Sequence, residues 1–444
     1  VLFVDVADAI HLNPSAALLA KAALDCRSKP MAVKRLRRRF KSCAADVAAS
    51  DADAIYVMIR HLETTTDSCP TCGLPDVQIT PLFSTPVAAP YKADLALTYG
   101  CNNACGHCYN EARSETRRQH SASRGVYPLG WKHATSSPCS EICRGDKPLG
   151  SLTEPLGSLD EAQWRLVLQK LAEIGVPHII FTGGEPTLVP WLFDLIGEAV
   201  RLGLIAGLNT NGRRLAEFGF AARLKSAGLD HVQITLESSR SAVHNAMTAA
   251  DSFAETLAGV RQSLSAGLHT ITNTTLTRQN VDHAREIVDF LHSLGLKTFA
   301  MNGMIFSGRG RNNHDALSTE ELIPVLRSVR DQADELGMRF LWYTPTRYCR
   351  LSPLELELGP RRCNAGEYSM CIEPNGDVLP CQSYYVAAGN ILRDPWPAIW
   401  ESDLFRGFRD RVKQPEASGL PAECSTCLDL PVCGGGCRLE RETP

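Results

Sequence analysis

Seventeen cysteines in a chain of 444 residues constrain this sequence more than any other feature. The count is odd, and Val1 to Ala9 carries Asp5 and Asp8 without a basic run, so no signal peptide is expected. A disulfide framework belongs to small secreted domains, so a cytoplasmic chain whose thiols bind metal is the better expectation. Spacing agrees. No cysteine lies between Cys143 and Cys349, and most of the others stand in clusters on either side of that gap. Lys and Arg total 46 against 49 Asp and Glu, a net charge of −3. That balance argues against a nucleic-acid or membrane-surface partner, and no apolar run is long enough to span a bilayer.

Four stretches differ in texture. Residues 1–66 predict a small unit with short strands at 1–4 and 9–12, a helix over 16–24 and an amphipathic helix over 51–62. Between those helices, Lys34 to Lys41 places six basic residues in eight. Residues 67–91, rich in Thr, Ser and Pro, read as a linker. From 92 to 344 apolar strands (93–98, 178–182, 205–209, 231–236, 270–276, 298–305 and 339–343) alternate with helical patterns (160–174, 191–202, 215–227, 253–266, 282–294 and 318–336). Such repeats predict a parallel sheet covered by helices. The loop over 110–158 is too long for a plain connection. Residues 345–444 hold eight cysteines and little periodicity beyond 396–412, which predicts folding around metal.

The first strand ends in Cys101-Asn-Asn-Ala-Cys105-Gly-His-Cys108-Tyr109. Three thiolates at this spacing can hold three irons of a 4Fe–4S cube and leave the fourth open to a chelator, for which the amino and carboxylate groups of S-adenosylmethionine (SAM) are suited. A zinc knuckle or an ordinary electron-transfer cluster would instead want a fourth ligand, such as His107. The end of the next strand reads Phe181-Thr-Gly183-Gly184-Glu185-Pro186. There Gly183 and Gly184 let backbone approach a ligand and Glu185 can accept bonds from an ammonium. Together these motifs resemble the radical SAM enzymes. The resemblance implies Cys101, Cys105 and Cys108 as ligands of the catalytic cluster, and Tyr109 near the adenine. Gly183, Gly184, Glu185 and Pro186 take the place of the family's cofactor-binding GGE motif. Asn211, Ser238 and Asn273, at or near later strand ends, become candidates for ribose and methionine contacts.

Cys363-x12-Gly376-x4-Cys381 followed by Cys424-x2-Cys427-x5-Cys433-x3-Cys437 resembles the SPASM auxiliary-cluster module; a pair of zinc ribbons is the plainer alternative. The likeness implies a first auxiliary cluster on Cys363, Cys381 and Cys437, with Cys349 or Cys371 as fourth ligand. The second is left with Cys424, Cys427 and Cys433, because the module's last cysteine does not follow Cys437 within residues 438–444. Cys69, Cys72, Cys139 and Cys143 could form a four-thiolate zinc site or remain free thiols. Cys26 and Cys43 read as helix-packing residues.

Residues 1–66 resemble PqqD-like domains, which recognise the leader of a ribosomally made precursor peptide by strand addition. The basic run suits an acidic leader; a solvated helix face is the plainer alternative. Taken together, the resemblances imply an α/β fold: a partial (β/α)6 TIM-like barrel with a small N-terminal winged-helix-like domain and a cysteine-rich C-terminal iron–sulfur domain. They imply a maturase that cleaves SAM to a 5′-deoxyadenosyl radical, takes hydrogen from a precursor peptide and cross-links it, with electrons from a flavodoxin or ferredoxin. NirJ-like tailoring of a tetrapyrrole side chain is the alternative within enzymes. A non-catalytic leader-binding, electron-transfer protein is the alternative outside them.

Overall fold

The computed structural model describes residues 2–4, 8–10, 12, 14–41, 43–64, 87–110 and 158–442. Cys69, Cys72, Cys139 and Cys143, with most of the expected linker and the long loop, lie outside the described residues. The chain divides into two compact units, Val1–Pro81 and Leu82–Pro444.

In the first unit, β1 (Leu2–Val4) pairs antiparallel with β2 (Asp8–Ile10), and three helices follow: α1 (Pro14–Leu24), α2 (Lys29–Arg39) and α3 (Ala45–Thr64). Leu19, Ala22, Ala32, Leu36, Ala48 and Ala52 form its core. Ala32 and Leu36 stand four residues apart on α2 and define its buried stripe. Lys34, Arg35, Arg37, Arg38 and Arg39 are consequently exposed. Cys43 packs against this core, as expected, whereas Cys26 lies exposed in the turn after α1 with a φ of 52°.

The second unit is built on one ten-stranded sheet. Seven strands run parallel in chain order: β3 (Lys92–Thr98), β4 (His178–Gly183), β5 (Ile205–Thr210), β6 (His231–Thr235), β7 (His269–Thr275), β8 (Thr298–Asn302) and β9 (Arg339–Trp342). The intervening helices are α4 (Glu161–Ile174), α5 (Leu192–Arg201), α6 (Phe220–Ser226), α7 (Ser241–Thr248), α8 (Phe253–Ser265), α9 (Ala284–Ser293) and α10 (Thr319–Glu335). Alternation along β3 sets the layers. Ala93, Leu95 and Leu97 join Trp164, Leu168 and Leu171 in the main core, while Ala96 on the opposite face meets Tyr99 and Cys371. The carboxyl ends of these seven strands point one way, the edge at which parallel α/β sheets bind ligands. The α/β partial barrel expected from the sequence is the observed architecture.

Three differences are instructive. The helix expected over 215–227 is broken into a single turn at Arg213–Ala216 and α6, with Gly219 at φ 75° between them. Helix α7 was not anticipated, because it is short and lies close behind the Glu237-Ser238-Ser239 strand end. The cysteine-rich segment does not stand apart from the barrel sheet. Its β10 (Ser369–Ile372) pairs parallel with β3, and β11 (Asp377–Leu379) and β12 (Gly389–Asn390) extend the edge antiparallel.

Gly259 on α8 is buried, and a Cβ there would sit 2.1 Å from Gly212 O. Gly197 on α5 is exposed with nothing within 4 Å. Gly259→Ala is expected to destabilise by about 1–3 kcal/mol. Gly197→Ala should instead stabilise by about 0.5–1 kcal/mol through helix propensity. Denaturant midpoints of the two variants measure both signs, and equal shifts would contradict the packing described.

Candidate functional site

Strand β3 delivers the chain to the loop that carries Cys101, Cys105 and Cys108, and three other segments fix that loop. Ala104 N and Gly106 N donate to Thr248 O (2.9 Å) and Met247 O (3.1 Å) at the end of α7. Arg309 N and Gly310 N both donate to Cys108 O, at 2.9 and 3.2 Å. The third brace runs through Asn211 and Arg213, neighbours at the end of β5. Asn211 Nδ2 donates to Asn102 Oδ1 at 2.6 Å and lies 4.0 Å from Cys101 Sγ. Arg213 Nη1 donates to Asn102 O (2.6 Å) and Asn103 Oδ1 (3.1 Å). Burial pushes the Cys105 thiol well up, and Glu237 with the Cys108 and Cys101 thiols pushes it further. A half-buried knot of groups that all become anionic on losing their protons is what a cationic iron cluster neutralises.

Glu185 holds this frame from beneath. It is fully buried. Its Oε1 accepts from Thr187 N (3.1 Å), Thr187 Oγ1 (2.6 Å) and Thr210 Oγ1 (2.7 Å), and its Oε2 accepts from Asn211 N (2.7 Å). Burial raises its pKa while these donors hold it down, with burial dominant. The bond expected from a methionine ammonium thus meets a carboxylate already engaged by protein donors. Pro186, also buried, opens the short turn Pro186–Leu188 that brings Thr187 back to Glu185. Gly183 (φ 125°) and Gly184 are required by close approach, since a Cβ at either would lie within 2.2 Å of Thr98 O or Gly100 O. The GGE stretch is therefore tied to the root of the cysteine loop.

The remaining strand ends are polar, but not all are free. Ser238 is fully buried, and its hydroxyl is taken by His283 Nε2 (2.7 Å) and Arg240 N (3.0 Å), so it secures a turn rather than presenting a ligand contact. Asn273 is better placed. Its Nδ2 donates to Asn302 Oδ1 at 2.8 Å, while its Oδ1 is buried without a partner among the described residues. His107, weighed as a cluster ligand, instead lies 2.9 Å from Glu237 Oε1. Burial disfavours its charged form, but the Glu237 charge and hydrogen bond outweigh that and raise its pKa. Tyr109 turns toward the edge strands of the sheet, where its hydroxyl donates to Gln382 Oε1 at 3.1 Å. Asn102, Arg213 and Gln382 were not singled out from sequence. Asn102 is a spacer inside the cysteine motif, and Arg213 stands two residues past Asn211.

The C-terminal thiols fall into two neighbourhoods. Cys363, Cys381 and Cys437 interact with one another; burial, then Cys363, pushes the Cys437 thiol up to about 12. Two buried guanidiniums, Arg362 and Arg411, surround this group with Glu367 as their shared carboxylate. Two buried cations on one anion leave positive charge beside Cys363, which an anionic thiolate cluster offsets. The other neighbourhood holds Cys424, whose thiol is raised by burial, then by Cys433, Glu423, Cys349 and Cys427. Gly434, Gly435 and Gly436, at φ 61°, 77° and 72°, turn the chain sharply between Cys433 and Cys437, which divides those two thiols between the groups. Cys371 lies on β10 opposite Asp94, deeply buried. Among the described residues no three such side chains converge on the point a single ion would occupy. A cube takes each thiolate on a different iron, which sets its ligands wider apart.

The profile of the radical SAM superfamily matches residues 95–291, and that of the SPASM iron–sulfur cluster-binding domain matches 363–428. A PqqA peptide cyclase of Streptomyces rochei is 30% identical over 285 residues, 63% of this chain and 75% of that protein. The chain belongs to the radical SAM superfamily. An AdoMet-dependent heme synthase of Nitratidesulfovibrio vulgaris is 26% identical over 359 residues, 77% of this chain and 85% of that protein. Among solved structures, SuiB of Streptococcus suis bound to SAM shares the fold with a TM-score of 0.61 at 16% identity, over 97% of this chain and 90% of SuiB. This radical SAM enzyme is thus expected to carry a SAM-binding 4Fe–4S cluster and auxiliary iron–sulfur clusters. Its residues fit them: a half-buried cysteine triad, a glycine cradle, an orphaned Asn273 acceptor and two further thiol groups.

Glu185→Gln keeps the shape but turns an amide NH2 toward a backbone or hydroxyl donor. It is expected to lower stability by roughly 1–3 kcal/mol without SAM and to weaken SAM binding as the Asn211 brace loosens. Unfolding and SAM titration check this. Weaker SAM binding at unchanged stability would mean that Glu185 acts by contact with the ligand and not as a brace.

Proposed function

We propose that this radical SAM enzyme is a maturase that takes hydrogen from a ribosomally made precursor peptide and leaves it oxidatively modified. The observation that carries this reading is the likeness to SuiB, which extends over 97% of the chain and so beyond the barrel and SPASM segments. SuiB has also been solved with its precursor peptide SuiA, and PqqA peptide cyclases recur among the curated relatives. An enzyme for a small molecule has no evident need for a separate hairpin-and-helix unit before its barrel. A peptide enzyme does: a short core sequence binds weakly alone, and a tethered recognition unit raises its local concentration.

In the proposed roles, Cys101, Cys105 and Cys108 hold the catalytic cluster, and SAM bound there supplies the 5′-deoxyadenosyl radical. Gly183 and Gly184 keep the cysteine loop close against the β4 end, and Asn273 and Asn211 offer polar contacts to the cofactor. Residues 1–66 bind the leader. The exposed Arg37, Arg38 and Arg39 on α2 give that unit a basic face suited to an acidic leader. Heme-synthase relatives supply the observation for a second reading, in which a tetrapyrrole is the substrate.

Deleting residues 1–66 is expected to leave reductive SAM cleavage intact and to abolish loss of two hydrogens from a full-length precursor, as read by mass spectrometry. Charge reversal at Arg37, Arg38 and Arg39 should weaken precursor binding, with an effect that fades as salt rises. Full modification by the truncated enzyme would remove the leader-binding role. Turnover of a tetrapyrrole with every peptide inert would establish the second reading.

A further inference from the structure

Chain order places Cys349 with Cys363, the nearest cysteine downstream of it. The fold brings the segment before Cys349 against Cys433. After β9 the chain folds onto the glycine turn that follows Cys433, and contacts on both sides fix it there. Cys437 N donates to Pro345 O at 3.1 Å. Tyr348 N donates to Cys433 Sγ at 3.4 Å, and Cys433 Sγ in turn lies 3.8 Å from Thr346 O. Gly436 is pressed so closely on this segment that a Cβ would lie 3.0 Å from Arg347 N. The ring of Tyr348 is buried and engages Arg361, its hydroxyl accepting from Arg361 N at 2.9 Å. Arg350 N and Leu351 N both bond back to Arg347 O, at 2.8 and 2.9 Å, which closes a turn around Cys349. Cys349 is therefore the residue next to a backbone amide bonded to Cys433 sulfur, and its thiol lies in the neighbourhood of Cys424.

We propose that Cys349 is the fourth protein ligand of the second auxiliary cluster, with Cys424, Cys427 and Cys433. The sequence pattern alone offers Cys349 to the other cluster. The assignment rests on the SPASM domain and not on the identity of the substrate. It has a physical consequence. Cys349 and Cys427 are exposed, so this cluster faces solvent, whereas Cys363, Cys381 and Cys437 are half-buried, with the buried Arg362 and Arg411 beside Cys363.

The test isolates each cluster in the full chain, with Cys101, Cys105 and Cys108 replaced by Ala. In one background Cys363→Ala and Cys381→Ala leave only the second cluster; in the other, Cys424→Ala, Cys427→Ala and Cys433→Ala leave only the first. Anaerobic reconstitution followed by iron analysis and electron paramagnetic resonance is then compared with and without Cys349→Ala. The expected result is loss of about one iron or more from roughly four, with a three-iron signal, in the first background, and no change in the second. Loss confined to the second background, or no change in either, overturns the assignment. A loss in both is resolved without altering Cys349, by alkylating the loaded proteins and mapping modified thiols by mass spectrometry. Cys349 should be shielded while the second cluster is present and reactive once Cys424, Cys427 and Cys433 are replaced. Shielding that instead disappears with Cys363 and Cys381 overturns it.

Discussion

One buried carboxylate organises the catalytic end of this molecule. Glu185 has no exposed surface, and its four bonds come from the turn after β4 and from the end of β5. A buried carboxylate is tolerable only with its lone pairs satisfied, so the arrangement is close to all-or-none. Through Asn211 the same constraint reaches Asn102 and Cys101, and through Arg213 it reaches Asn103. Position of the cysteine loop is thereby set by the sheet beneath it. A loop alone could not hold three thiolates in fixed relation, since loops owe their geometry to the scaffold that carries them.

The second constraint is the pairing of β10 with β3. It places Cys371 opposite Asp94 and sends the chain through β11 toward Cys381 and Gln382, where the Tyr109 hydroxyl is met. The residue after Cys108 thus touches the residue after Cys381. Tyr109 and Gln382 are 273 positions apart in sequence, and only the added strands bring them together. The β3 edge that would otherwise expose unpaired backbone is covered by the cysteine-rich segment itself.

Much of this was legible in the residues. Apolar strands followed by amphipathic helices stand out because their periods differ, and six strands from β3 to β8 were expected within a few residues of their observed ends. The cysteine triplet and Gly183-Gly184-Glu185 could be read because each type does something no substitute does. Pairing of β10 could not, since Ser369–Ile372 is four residues long and its partner lies far upstream. Ser238 illustrates the other limit: a polar residue at a strand end looks the same whether it faces a ligand or, as here, His283. Cys349 illustrates a third, because proximity in sequence to Cys363 carries no information about the turn that takes it toward Cys433.

The most direct measurement of the central claim follows hydrogen from substrate to cofactor. A precursor peptide encoded beside this gene, deuterated on its core side chains, is incubated with the reduced, cluster-loaded enzyme and SAM, and the 5′-deoxyadenosine formed is weighed by mass spectrometry. The account predicts deuterium in 5′-deoxyadenosine, in step with loss of hydrogen from the peptide. Unlabelled 5′-deoxyadenosine with an unaltered peptide, across the encoded candidates, would contradict it.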